Sequence, residues 1–166
     1  MFSESLLKQA EQLLAACRTR KTMLVTAESC TGGLLSSLLT EIPGSSDVFE
    51  RGFITYSNQA KIQLLKVNET VLAECGAVSL EVASAMAIGA LENSNGDMSV
   101  ATTGIAGPGG GTDAKPVGLV YIALGGKKTG RVLAREFRFS GGRSAIRLQA
   151  VEAATALLME HLAHFA

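Results

Sequence analysis

Histidine is nearly absent from this 166-residue chain: its two copies, His161 and His164, stand three apart near the far end. That scarcity argues against a Ser-His-Asp or Cys-His hydrolase, whose imidazole would have to come from elsewhere in the chain. It also leaves the pair without a third ligand, so no metal is expected. Cysteine is scarce too. Cys17, Cys30 and Cys75 are odd in number and contain no C-x-x-C pair, which suits neither a disulfide framework nor a structural zinc site. Excess charge of either sign is missing, with 15 basic and 15 acidic side chains. A general nucleic-acid binder needs a basic surface to displace counterions, so no nucleic-acid partner is expected. No apolar run approaches the roughly 20 residues that span a bilayer. Acidic and polar residues in the first dozen positions do not make a signal peptide. The expected setting is a reducing cytoplasm, with no membrane partner.

What remains is 47% apolar residues and 18 glycines. That apolar share can offset ordering entropy, and the length suits one core, so residues 1–166 are read as a single domain. Ser3 can cap a helix that carries Leu6, Leu7, Ala10, Leu13, Leu14 and Cys17 on one face to about Arg20. Residues 22–26 (TMLVT) read as a buried strand, and 34–39 as a helix ending before Pro43. A strand follows over 49–56, then a short helix capped by Asn58 and a further helical turn at Asn68. Ser79 opens an alanine-rich helix to Leu91. Strands are expected over 98–103, 117–124 and 131–139, the last two as an antiparallel hairpin around 125–128. Ser140-Gly141-Gly142 leads into the final helix. Strands alternate with helices first, and a hairpin then closes the sheet. The expected fold is therefore α/β: a three-layer α/β/α sandwich with a mixed, mostly parallel sheet and one antiparallel strand.

Four stretches carry candidate chemistry. Thr26 to Gly33 (TAESCTGG) joins a strand's carboxyl end to a helix start, where free N–H groups and hydroxyls suit an anion or an amide carbonyl. An ordinary helix cap explains it as well. Cys30 lacks a nearby base and reads as a small buried filler. The 102–112 loop (TTGIAGPGGGT) also follows a strand, but it has neither a Walker A nor a Rossmann spacing. A loop of about a dozen residues inside a compact domain is usually functional. The third stretch is Gly44-Ser45-Ser46-Asp47 with Tyr56 and Lys61. A lysine takes a serine's proton only when neutral, which requires burial or nearby positive charge. The fourth, Phe139 to Arg147 (FSGGRSAIR), places arginine at a helix start, against the helix dipole unless an anion sits there.

Together the strings AESCTGG (27–33), GSSDVFERGFITYSNQAK (44–61), GAVS (76–79), TGIAGPGGGT (103–112), KPVGLVY (115–121) and FSGGRSAIR (139–147) resemble the CinA C-terminal domain family. The match runs from about residue 4 to 160, with several motifs in one order. Longer members carry a further N-terminal domain, and nothing in this sequence is expected to encode it. The resemblance implies hydrolysis of the carboxamide of nicotinamide mononucleotide, within NAD recycling, by a serine/lysine amidohydrolase. It implies a small-molecule nucleotide substrate and no cofactor, and it is compatible with a homodimer. The roles it implies are Ser46 as nucleophile and Lys61 as base, with Ser29, Tyr56 and Thr103 lining the pocket. Ser29 stays open as the alternative nucleophile. Backbone N–H groups with the Ser29 or Thr103 hydroxyl would hold the oxyanion. Glu28, Thr31, Gly32, Gly104, Gly107, Gly109 and Thr112 would contribute to substrate binding, with Arg143 on the 5′-phosphate. The competing reading is a non-catalytic nucleotide-binding or regulatory module linked to competence or DNA damage.

Overall fold

A computed structural model describes residues 2–165. The Ser3 hydroxyl accepts the Leu6 N–H at 3.2 Å and starts α1 (Glu4–Arg20). Lys21, in the left-handed region, ends α1 and turns the chain into β1 (Leu24–Glu28). There follow α2 (Leu34–Glu41), a single 3-10 turn (Ser45–Asp47) and β2 (Phe49–Ile54). Three helices come next: α3 (Asn58–Leu65), α4 (Glu69–Cys75) and α5 (Leu80–Glu92). The hairpin strands β4 (Leu119–Gly126) and β5 (Val132–Arg138) follow β3 (Met98–Gly104), and α6 (Arg143–Phe165) completes the order.

The sheet order is β2-β1-β3-β4-β5. β2, β1 and β3 are mutually parallel, whereas β4 is antiparallel to both β3 and β5. Of the described strands β4 alone therefore runs against the rest, as the sequence implied. All five β1 residues are buried, because helices cover both faces of the sheet. Side chains alternate between two cores along each strand. Leu24, Met98, Val100 and Ile122 pack with α1, α2 and α6. Val25, Ala27, Ala101 and Ala123 pack with α3, α4 and α5. Among the described residues no helix is long and apolar enough to cross a membrane.

Several boundaries differ from expectation. The turn at Asn68 is a full helix, α4, with Asn68 as its cap. Ser57, not Asn58, caps α3, its hydroxyl accepting the Ala60 N–H at 3.0 Å. β1 extends to Glu28, and β2 stops at Ile54, which leaves Tyr56 beyond the strand. Gly125 and Gly126 belong to β4 rather than to the turn, Gly125 lying opposite Ser99 where a Cβ would come within 2.7 Å of the serine Oγ. These shifts matter for function. The carboxyl ends of β1, β2 and β3 share one edge of the sheet, the edge at which open α/β sheets bind ligands.

Candidate active site

Lys61 lies one turn into α3, which starts just beyond the carboxyl end of β2. It is 1% exposed. Its Nζ is 2.8 Å from the Thr55 carbonyl oxygen and 2.9 Å from Ser29 Oγ. Burial pushes its pKa down from 10.5 to about 8. The neighbouring Cys30 opposes that change only if it carries a charge, and burial pushes the Cys30 thiol up to about 12, so near neutral pH it carries none. Neutral Nζ has two hydrogens and one lone pair. With one N–H given to the Thr55 carbonyl, the lone pair is free to accept the Ser29 hydroxyl. The result is a serine paired with a base in hydrogen-bond contact, the arrangement that activates a nucleophile.

Ser29 is held by the strand ends around it: its N–H donates to the Thr102 carbonyl at 2.9 Å. The helix start that follows is not free for a ligand. The Glu28 carboxylate is fully buried and fills it. Oε2 accepts from the Gly33 and Leu35 N–H groups at 3.0 Å each and from the Thr31 hydroxyl at 2.7 Å. Oε1 accepts from the Ser36 N–H at 2.8 Å and its hydroxyl at 2.6 Å. Glu28 is thus a carboxylate set against the positive end of α2, and Thr31, also fully buried, serves it. The expected substrate-binding roles of Glu28 and Thr31 are corrected: both face inward, away from any ligand. Gly32 and Gly33 have φ of 59° and 92°, which builds the tight turn that aims these N–H groups at the carboxylate. Gly32 is accordingly a turn residue.

The expectation that Ser46 attacks is corrected too. Ser46 is exposed in the 3-10 turn before β2, whereas Lys61 follows the other end of that strand. Six strand residues lie between them, a span of roughly 20 Å at about 3.3 Å per residue. The surroundings of Ser46 are those of a surface corner, where Arg18 donates to the Gly44 carbonyl at 3.1 Å and pairs with Asp47 at 3.4 Å.

A pocket of about 240 Å³ opens over the Ser29–Lys61 pair and includes Tyr56, Thr103, Gly104 and Arg143 in its walls. The expected pocket members Ser29, Tyr56 and Thr103 therefore come together with Lys61. Arg143, at the first turn of α6, donates to the Tyr56 hydroxyl and to the Gly107 carbonyl, both at 2.8 Å. The Thr103 hydroxyl donates to the Ala77 carbonyl at 2.7 Å, so its proton is not available to an oxyanion, contrary to that expectation. Gly109 is exposed with open space around it, and the Thr112 hydroxyl accepts the Lys115 N–H at 3.0 Å to hold the loop's own turn. Neither is on the pocket wall. Among the described residues no cluster of His, Cys, Asp and Glu could hold a metal ion.

The CinA C-terminal domain model matches residues 6–162. This chain belongs to the CinA C-terminal domain family. It is 47% identical over 150 residues to the nicotinamide-nucleotide amidohydrolase PncC of Escherichia coli K12, covering 90% of each chain. It is 51% identical over 153 residues to a putative competence-damage inducible protein of Caldicellulosiruptor bescii. That alignment covers 92% of this chain but spans 37% of the Caldicellulosiruptor protein's length. The solved structure of the competence/damage inducible protein CihA from Agrobacterium tumefaciens superposes with a TM-score of 0.94 at 45% identity, covering 96% of this chain and 97% of that one.

In this CinA-family chain five pocket residues lie outside the sequence-based candidates: Cys30, Asn58, Ala77, Val78 and Ala106. The GAVS string that contains two of them is part of the resemblance, but alanine and valine carry no chemical signal that would mark a wall. Arg147 closes the FSGGRSAIR stretch, where the sequence points to an anion rather than to a structural contact. It donates to the Thr31 carbonyl at 2.6 Å and braces the turn beside Ser29 from α6.

Proposed function

We propose that this chain hydrolyses the carboxamide of nicotinamide mononucleotide to nicotinic acid mononucleotide and ammonia, with Ser29 as nucleophile and Lys61 as its base. The observation that carries this reading is the 2.9 Å contact between Ser29 Oγ and a lysine amine that burial holds near a pKa of about 8. The 47% identity to the E. coli amidohydrolase, aligned over 90% of both chains, supports the substrate. Neutral Nζ takes the Ser29 proton as Oγ bonds to the amide carbon. The tetrahedral adduct collapses, its C–N bond breaks, and Nζ returns the proton to the departing nitrogen, which leaves as ammonia. Water then gives a proton to Nζ, its oxygen attacks the acyl-serine ester, and Ser29 leaves and regains the proton. The Cys30 and Thr31 N–H groups, the two in the turn after Ser29 that neither Glu28 nor a backbone carbonyl takes, supply the oxyanion's donors. Arg143 grips the 5′-phosphate and holds a small amide group in register.

Ammonia release from nicotinamide mononucleotide by the purified protein tests this, with free nicotinamide as control. Release without added metal is the expected result. Silence both with chelator and with added divalent ions would turn the assignment toward the nucleotide-binding module. Ser29→Ala should abolish release and Ser46→Ala should leave it within a few-fold. A serine-linked acyl-enzyme, seen by intact mass after rapid quenching, should be absent only from the Ser29 variant.

A further inference from the structure

Thr103 stands at the end of β3, 1% exposed, in the wall of the pocket that holds Ser29 and Lys61. Its Oγ1 lies 2.7 Å from the Ala77 carbonyl oxygen. A carbonyl oxygen only accepts, so the hydroxyl's single proton is spent there. The oxygen that remains offers lone pairs alone. Ala77 is not free to release it, because the α4–α5 connection is itself tied down. Ser79 donates its hydroxyl to the Gly76 carbonyl at 2.9 Å and caps α5 by accepting the Val82 N–H at 3.2 Å.

A primary carboxamide and the carboxylate it becomes differ in the property such an oxygen reads. The amide NH2 donates twice, and a carboxylate only accepts. We infer that Thr103 Oγ1 accepts an N–H of the substrate carboxamide and thereby makes the pocket select amide over acid. This rests on the amidohydrolase reading of the same site. The contact sets the carboxamide's orientation: nitrogen toward Thr103, carbonyl oxygen toward the backbone donors after Ser29. It also helps turnover, because the acid product places an oxygen where only lone pairs meet it. A buried acceptor left facing another acceptor costs affinity, and that favours release.

The test compares affinities by calorimetry in the non-turning-over Ser29→Ala protein, for nicotinamide mononucleotide and nicotinic acid mononucleotide at one pH. Adding Thr103→Val removes the acceptor and keeps the shape. The amide-to-acid affinity ratio should fall roughly tenfold or more. Thr103→Ser, which keeps the hydroxyl, should hold the ratio within about twofold. An unchanged ratio in folded Thr103→Val, or equal losses for both ligands, overturns the inference and leaves Thr103 as a brace for Ala77. Thr103→Ala carries the same comparison if the valine variant does not fold. Absence of ammonia release by the unmodified protein would instead count against the amidohydrolase reading, and the ratio still reports on Thr103.

Discussion

Burying Lys61 lowers its affinity for a proton, and both catalysis and stability feel the change. With a pKa of about 8, roughly a tenth of the molecules carry neutral Lys61 at pH 7. The expected profile of kcat/KM rises with pH through about 8 and then levels. The unfolded chain keeps the lysine protonated up to about 10.5. The Cys17 and Cys30 thiols, which burial pushes up to about 12, ionise above about 9 only in the unfolded chain and turn the slope downward there. Lys61 therefore makes stability rise with pH in the window from about 8 to 9, where the unfolded state alone binds the extra proton. Below it both states are charged, and burying the ammonium costs on the order of 3 kcal/mol, since a tenfold loss of proton affinity is worth about 1.4 kcal/mol. Lys61→Met keeps the bulk and removes the charge. Turnover should fall by roughly a hundredfold to ten-thousandfold. The thermal midpoint at pH 7 should rise by a few degrees at most, because relief of the buried charge is partly offset by the Thr55 carbonyl left without its donor. Denaturant titrations should no longer show stability increasing between about pH 8 and 9. Retained turnover would remove Lys61 from the reaction, and a retained pH-dependence would remove its lowered pKa.

Lys61 reaches Ser29 only because α3 sits close against α5, and one glycine sets that distance. A Cβ on Gly89 of α5 would run into the Leu65 carbonyl at the end of α3. By helix propensity alone, Gly89→Ala should stabilise α5 by about 1 kcal/mol. Against a backbone oxygen it cannot, so the helices must part and carry Lys61 with them. The expected result is a loss of stability of a few kcal/mol, a drop in the denaturation midpoint, and reduced kcat. A gain in stability would show that α3 yields freely. The same scale explains what is readable in the sequence. Helix starts at Ser3, Asn68 and Ser79, and the strand runs, are legible because they rest on local chemistry. The choice between Ser29 and Ser46 is not. Both precede Lys61 at moderate spacing, and only the parallel run of β1 beside β2 sends one to the far edge and leaves the other at the lysine. Glu28 misleads for a similar reason. A carboxylate beside a serine and a Thr-Gly-Gly turn looks ligand-facing until the turn folds its N–H groups back onto it.

The pocket has no home on any one segment. Ser29 comes from the end of β1, Tyr56 and Lys61 from beyond β2, Thr103 from β3 and Arg143 from α6. Arg143 ties three of these regions together, reaching 36 residues back to Gly107 and 87 back to Tyr56. Its guanidinium has five N–H donors, and these two contacts leave others free for a phosphate. The two jobs separate experimentally. Arg143→Ala should lower kcat/KM for nicotinamide mononucleotide by roughly ten- to a hundredfold, the worth of a lost charged hydrogen bond. Nicotinamide riboside, which has the same amide and sugar but no phosphate, should lose no more than a few-fold. The thermal midpoint should hardly move, since Arg143 is exposed and its partners Tyr56 and Gly107 belong to neither core. Equal losses for the two substrates would mean that Arg143 acts by holding the rim in place, with the phosphate bound elsewhere. A selective loss would place the phosphate at the start of α6, where positive charge opposes the helix dipole and an anion relieves it.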